Sequence, residues 1–232
     1  SRVQAARIVT IHDLIFKRYP QYYPALDRRI YDFKSRYACR NADIIIAVSE
    51  QTKSDIVEFY GIAPEKVKVV YQSCDTSFTR SIAESEKSDV RSRYNLPTQF
   101  VLYVGSIEVR KNLLGLVKAV TLLKKSHDLF LVAIGRGTSY LEQVRQFINS
   151  SGMNDRVQIR SDIAFADFPA IYQMAQVFVY PSQFEGFGIP IIEALWSKTP
   201  VITTRGGCFV EAGGPASVYV SPDNFEEIAA AI

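Results

Sequence analysis

Short, unbroken apolar runs recur along this chain, at Asp43–Val48, Phe100–Val104, Leu129–Ile134 and Val177–Tyr180. Each is too short for a buried helix and is bounded by turn residues, so each reads as a strand covered on both faces. Arg7–Ile11, Val67–Tyr71, Val157–Ile159, Val201–Thr203 and Val218–Val220 read as further strands. Helix-like stretches fall between them, at Asn112–Lys125, Tyr140–Asn149, Phe168–Ala175, Pro190–Trp196 and Phe225–Ile232. Strands alternating with helices in this way build parallel sheets with helices on both sides. The expected fold is therefore α/β, doubly wound, and 232 residues suffice for two such units. Residues 79–98 are polar and small, and read as a linker between 1–78 and 99–232, with room for a short helix and with Asn95-Leu96-Pro97 as its stop.

In the first segment, Leu26, Ile30, Phe33 and Tyr37 recur at spacings of four, three and four, which gives one apolar helical face. Ser49 suits the N-cap of the next helix and Gly61 its end. The formal net charge of +3 is uneven: residues 1–98 carry 16 Lys/Arg against 12 Asp/Glu, and the excess concentrates in 17–40. Aromatics interleave with those cations. A helix of this kind can rest peripherally on anionic lipid headgroups, although an apolar face turned to the core is the favoured reading. So small an excess gives no support to nucleic-acid binding.

The chemistry concentrates in Glu185-Gly186-Phe187-Gly188-Ile189-Pro190-Ile191-Ile192-Glu193, which follows a strand and opens a helix. Glycines at 186 and 188 let the backbone approach a ligand, and the unpaired N–H groups of a helix's first turn attract anions. Carboxylates on both sides of an anion site are explained if they accept hydrogen bonds from hydroxyls next to a phosphate. A nucleotide sugar offers both groups. Arg110 and Lys111, adjacent at a second strand-to-helix junction, sit where cations oppose the helix dipole unless an anion lies between. His12 follows the first strand and can donate to a sugar hydroxyl or act as acid or base, though a structural role is the commoner one. Glu211 lies in a glycine-rich loop and faces water or rims the site. Gly135-Arg136-Gly137 lacks the third glycine of a dinucleotide fingerprint, and no Walker, Gly-x-Ser-x-Gly or metal-ligand pattern occurs.

Together, Val104-Gly105-Ser106…Arg110-Lys111-Asn112, Tyr180-Pro181-Ser182…Glu185-Gly186-Phe187-Gly188-Ile189-Pro190…Glu193-Ala194, Thr199-Pro200-Val201-Ile202-Thr203 and Val9-Thr10-Ile11-His12-Asp13 resemble the retaining GT-B glycosyltransferases of family 4. The resemblance implies two Rossmann-like domains, with 1–78 the last part of the acceptor domain and 99–232 most of the nucleotide-sugar domain. It implies that the front of the acceptor domain and the closing C-terminal helix are absent. Glu185 and His12 would act at the donor sugar. The backbone of Gly186, Phe187, Gly188 and Ile189, with Arg110 and Lys111, would hold sugar and diphosphate. Glu193 would take the ribose hydroxyls, Ile163 the base, and Gly135 would line the nucleotide pocket. The family's front-face attack needs neither a base–nucleophile pair nor a metal, so no metal or cofactor is expected. Ser106 stands where many relatives carry Arg, which shifts the phosphate contacts towards Arg110 and Lys111. The implied reaction moves a hexose, mannose-type favoured, from a nucleotide diphosphate sugar to a glycan or lipid-linked acceptor. A noncatalytic nucleotide-sugar-binding module and a nucleotide-sugar epimerase are the alternatives. No signal-peptide pattern follows Ser1, and the three cysteines, Cys39, Cys74 and Cys208, read as reduced thiols. A cytoplasmic location is expected, peripheral to the inner face of the membrane if the basic helix docks there.

Overall fold

The structure, a computed structural model, describes residues 5–124 and 126–232. It divides into two compact units, Ser1–Gln72 with Phe184–Gly188, and Ser73–Gln183 with Ile189–Ile232.

The first unit holds a parallel three-stranded sheet, β1 (Ile8–Ile11), β2 (Ile44–Ala47) and β3 (Val67–Val69), in that order. Register pairs Ile11 with Ala47 and Ala47 with Val69. Its helices are α1 (Ile15–Arg18), α2 (Ala25–Asn41) and α3 (Glu50–Tyr60). Leu14, Cys39, Ile45, Ala47 and Ile56 are fully buried between sheet and helices. The expected caps of α3 are present: Ser49 Oγ accepts from Thr52 N, and Gly61 closes the helix in the left-handed region at φ 63°.

One expectation is overturned on α2. Leu26, Ile30, Phe33 and Tyr37 do form one face, but that face is exposed, Leu26 and Phe33 at 68% and 72%. The inward side is built instead from Cys39 and from polar groups that find partners there. Asp32 meets Lys17 at 3.1 Å and Arg36 at 3.4 Å, and Arg36 lies 5.2 Å from the Tyr60 ring. Periodicity reveals that an apolar face exists; it carries no information about what the face meets.

Arg18, the last residue of α1, reaches Asp55 on α3 with Nε at 3.0 Å and Nη2 at 2.5 Å. Asp55 is 1% exposed. Burial pushes its carboxyl above the usual range, and the Arg18 guanidinium holds it down. Removing the cation strands a buried carboxylate. Arg18→Ala is therefore expected to destabilise the first unit by about 3 kcal/mol. A thermal melt checks this, with Asp55→Asn in the same background recovering part of the loss; an unchanged midpoint would show that the pair contributes nothing.

The second unit holds a parallel six-stranded sheet. Its strands are β4 (Phe100–Val104), β5 (Phe130–Ile134), β6 (Val157–Arg160), β7 (Val177–Tyr180), β8 (Val201–Thr204) and β9 (Val218–Val220). Its helices are α4 (Glu84–Tyr94), α5 (Leu113–Leu123), α6 (Tyr140–Ser150), α7 (Phe168–Met174), α8 (Ile189–Trp196), α9 (Cys208–Gly213) and α10 (Phe225–Ala231). Strand order β6-β5-β4-β7-β8-β9 is the doubly wound order, and its direction of travel reverses between β4 and β7. In such sheets the crevice for ligands opens at the carboxyl ends of the two strands that flank the reversal.

Residues 79–98 do contain a helix, stopped at Asn95 as expected, and they belong to the second compact unit. They carry α4, and Ile82, Val90, Tyr94 and Leu96 are buried within the second unit. Tyr94 donates to Asp167 at 2.7 Å, and Asn95 closes the helix at φ 49°. Four packing residues among many polar ones are enough to dock a helix, and the division between the units falls after Gln72. Helix α5 starts at Leu113, one residue later than expected, and its expected last residue, Lys125, lies outside the described residues. Glu211 belongs to α9 and not to a loop. Among the described residues, no helix is long and apolar enough to cross a membrane.

Candidate functional site

The loop that leaves β4 is shaped by close backbone approach. Gly105 has φ 154°, and a Cβ on Gly135 would fall 1.8 Å from the Gly105 carbonyl oxygen. Gly135 thus lets the β4 and β5 loops touch, and it also lines a cavity of about 320 Å³ with Arg136, Ile159, Arg160 and Ser161. Ile163, half-buried, follows β6 three residues on.

Arg110 and Lys111 do not sit inside the helix start. They occupy a 3₁₀ turn, Val109–Lys111, separated from α5 by Asn112 at φ 55°. Asn112 caps α5 by accepting from Gly115 N at 3.2 Å. Arg110 donates to Glu108 at 2.7 Å, and Lys111 donates to the Tyr180 hydroxyl at 2.8 Å. The Arg110 carbonyl accepts from Gln183 N at 2.8 Å, which ties the β4 loop to the segment after β7. Both cations are thus anchored at the reversal point, the place where topology opens the crevice.

Glu193 lies in the second turn of α8. Its Oε2 accepts from the Tyr172 hydroxyl at 2.8 Å. Burial pushes the Glu193 carboxyl up, and burial with the nearby Glu193 charge pushes the Tyr172 phenol well up. The same two causes bring the Cys74 thiol to about 11. Ile189 opens α8, with Pro190 as its second residue.

In the first unit, β1 delivers His12, whose ring is exposed and whose Nδ1 lies 3.4 Å from Gln72 Nε2. The Phe184–Gly188 loop packs beside it. Phe187 stacks on Tyr71 at 5.5 Å between centroids, and Phe184 meets Tyr19 at 5.3 Å. The Phe187 ring is therefore a packing anchor, which leaves its backbone for a ligand. Gly186 presses on His12 so closely that a Cβ would come within 2.0 Å of the His12 carbonyl oxygen. Gly188, at φ 104°, takes a turn that other residues resist. Among the described residues, the N–H groups of Gly186, Phe187 and Gly188 have no hydrogen-bond acceptor. Consecutive N–H groups of this kind favour anions.

The structure thus brings His12 together with Glu185, Gly186, Phe187 and Gly188 in the first unit. Arg110, Lys111, Gly135, Ile163, Ile189 and Glu193 belong to the second. Sequence reasoning misses Tyr172 and Tyr180, the hydroxyl partners of Glu193 and Lys111. It also sees Ser49 only as a cap, although Ser49 Oγ donates to the Gly186 carbonyl at 2.7 Å.

Comparison with known proteins places this geometry. Residues 84–232 match the family described as glycosyl transferases group 1, and residues 2–78 match glycosyltransferase family 4. O-antigen chain mannosyltransferase B of Escherichia coli is 30% identical over 97% of this chain and 60% of its own length. O-antigen chain mannosyltransferase RfbU of Salmonella typhimurium is 30% identical over 93% of this chain and 57% of its own. The chain thus spans less than two thirds of these relatives. Anabaena HepE, solved in complex with UDP and glucose, superposes with a TM-score of 0.82 at 21% identity, over 96% of this chain and 60% of that one. The family match over 84–232 and the shared fold agree: this chain belongs to the group 1 glycosyltransferases of the GT-B fold.

Proposed function

We propose that the intact protein transfers a hexose, with retention of anomeric configuration, from a nucleotide diphosphate sugar to a glycan or lipid-linked acceptor. The observation that carries this reading is the arrangement at the strand reversal, where two anchored cations lie after β4 and a half-buried glutamate follows β7 on α8. Arg110 and Lys111 hold the diphosphate, so its charge is met without a metal. The unpaired N–H groups of the 186–188 turn add donors for sugar and phosphate. Glu193 takes the ribose hydroxyls, with Tyr172 fixing its carboxylate, and the Gly135 cavity with Ile163 receives the base. Glu185 and His12 act at the donor sugar. A mannose-type donor is favoured, because two of the relatives are mannosyltransferases. Calorimetric titration of the intact protein with GDP-mannose, UDP-sugars and dTDP-sugars tests this directly. Binding of one of them in the micromolar range supports the donor site; no binding even at millimolar concentration overturns it.

The raised Glu193 carboxyl gives that titration a pH signature. A carboxylate accepts hydroxyl hydrogen bonds best when ionised, and burial makes protonation begin at a higher pH than for an ordinary glutamate. Nucleotide-sugar affinity is thus expected to be full at neutral pH and to fall as the pH drops through the elevated Glu193 value. Glu193→Gln should bind more weakly at neutral pH and lose the dependence. A wild-type affinity that stays flat down to pH 4 removes Glu193 from the nucleoside contact.

The exposed face of α2 supports peripheral contact with the inner face of the membrane. Alongside Leu26, Ile30, Phe33 and Tyr37 it exposes Arg29, Lys34 and Arg40, while Asp27 and Asp32 are half-buried. Apolar and cationic side chains on one face suit an anionic lipid surface. Flotation with phosphatidylglycerol vesicles should recover the intact protein, and Phe33→Ser with Lys34→Ser should release it. Equal recovery of both proteins on phosphatidylglycerol vesicles, or recovery of neither, overturns this contact.

A further inference from the structure

Ser49 and Thr52, at the N-terminus of α3, are 0% and 2% exposed, and their hydroxyls do more than cap a helix. Ser49 Oγ accepts from Thr52 N at 3.0 Å and lies 2.7 Å from the Gly186 carbonyl oxygen. Thr52 Oγ1 lies 3.3 Å from the His12 carbonyl oxygen and 3.3 Å from that of Gly186. Each hydroxyl has one proton to give. Ser49 Oγ also lies 3.0 Å from Thr52 Oγ1, and its proton goes to the shorter of its two contacts, the Gly186 carbonyl. The Thr52 proton is then shared by the two carbonyls, His12 and Gly186.

Two backbone oxygens from segments far apart in the chain thus converge on one hydroxyl pair within the first unit. They also face the positive end of an eleven-residue helix, which favours acceptors there. A cap alone requires only the Ser49 oxygen and the Thr52 N–H. It leaves the two carbonyls unexplained.

We propose that Ser49 and Thr52 are positioning residues, a hydroxyl latch that sets the His12 strand end and the Glu185 loop in register. This rests on the reading that His12 and Glu185 act at the donor sugar. The carbonyl of Gly186 is one peptide from Glu185, and the His12 carbonyl belongs to the other residue of the pair. Fixing both oxygens fixes the relative placement of both side chains. The diphosphate and ribose contacts assigned to Arg110, Lys111 and Glu193 are anchored separately, by Glu108, Tyr180 and Tyr172. The latch therefore governs turnover and leaves nucleotide binding alone.

The test measures kcat, donor KM, nucleoside diphosphate Kd and thermal midpoint for the intact protein. Thr52→Val removes the hydroxyl at nearly constant shape, and Thr52→Ser restores it. Since misplacement of reacting groups by about 1 Å can cost 100-fold, Thr52→Val is expected to lower kcat at least about tenfold, with Kd within about twofold. Thr52→Ser should recover most of that kcat. Ser49→Ala should act likewise and also lower the midpoint through the lost cap, while Ser49→Thr keeps both. Unchanged kcat in Thr52→Val and Ser49→Ala, with Glu185→Ala inactive, overturns the latch and leaves the functional reading standing. Parallel losses of kcat, Kd and midpoint without rescue by Thr52→Ser also overturn it, in favour of a purely structural role. Full activity of Glu185→Ala overturns the functional reading, and the latch with it.

Discussion

Glu185→Ala is expected to lower the turnover of the intact protein by about 100-fold or more while leaving nucleoside diphosphate affinity nearly unchanged. Glu185 belongs to a loop whose neighbours are well fixed. Phe184 and Phe187 are 7% and 4% exposed, each against a tyrosine, and the Gly186 carbonyl is held by Ser49. A carboxylate carried on such a loop does not need to reorganise when charge develops beside it. In the proposed reaction the sugar gains positive character as the diphosphate leaves, so a fixed negative charge favours the transition state over the bound donor. The loss then appears in kcat. Glu185→Gln separates charge from hydrogen bonding: if charge is the cause, the amide is nearly as impaired as alanine. Steady-state transfer assays with parallel calorimetry read both quantities, and an alanine variant with wild-type turnover would falsify the role given to Glu185.

The parts of this site that were legible in the sequence are those set by local chemistry. Continuous apolar strands at Phe100–Val104 and Val177–Tyr180 reveal a parallel sheet because no half-solvated strand could be so apolar. Glycines at 186 and 188 were legible as points of special backbone: a Cβ on Gly186 would meet the His12 carbonyl, and Gly188 holds φ 104°. Gly61 and Asn95 end their helices as their left-handed conformations require. What was not legible depends on tertiary placement. The pattern at Leu26, Ile30, Phe33 and Tyr37 is as regular as that of any core helix, yet the inward side of α2 is built from Cys39 and an ion-pair cluster around Asp32. Residues 79–98 look like a linker because their mean polarity hides the few side chains that dock α4. The bond from Ser49 to Gly186 spans 137 positions, and no spacing rule connects a helix cap to a glycine loop so distant. Tyr172 is similarly silent: a tyrosine in an apolar helix reads as core until its hydroxyl is seen on Glu193.

Two glycine substitutions should separate the chemistry of the two units, and the larger effect is expected at Gly186. In Gly186→Ala the new methyl would sit 2.0 Å from the His12 carbonyl oxygen, 3.0 Å from the carbonyl carbon and 3.2 Å from Asp13 Cβ. Nothing there can yield as a flexible side chain does, since the nearest atoms are backbone. The His12 carbonyl is also within reach of the Thr52 hydroxyl, which resists its retreat. The loop must therefore move, and moving it stretches the Ser49–Gly186 bond and displaces Glu185. A shift of about 1 Å at a reacting group is enough to cost on the order of 100-fold in turnover. Nucleotide affinity should change far less, because the contacts assigned to it lie on Arg110, Lys111 and Glu193. Gly135→Ala offers the reverse signature. Its methyl would fall 1.8 Å from the Gly105 carbonyl oxygen, forcing apart the β4 and β5 loops at the edge of the cavity proposed for the nucleotide. There the donor KM and the nucleoside diphosphate Kd should rise together, with kcat the lesser effect. Assays of both variants at saturating donor distinguish the cases. If Gly186→Ala instead keeps its turnover and loses nucleotide affinity, the 185–188 loop serves binding and not the reacting sugar.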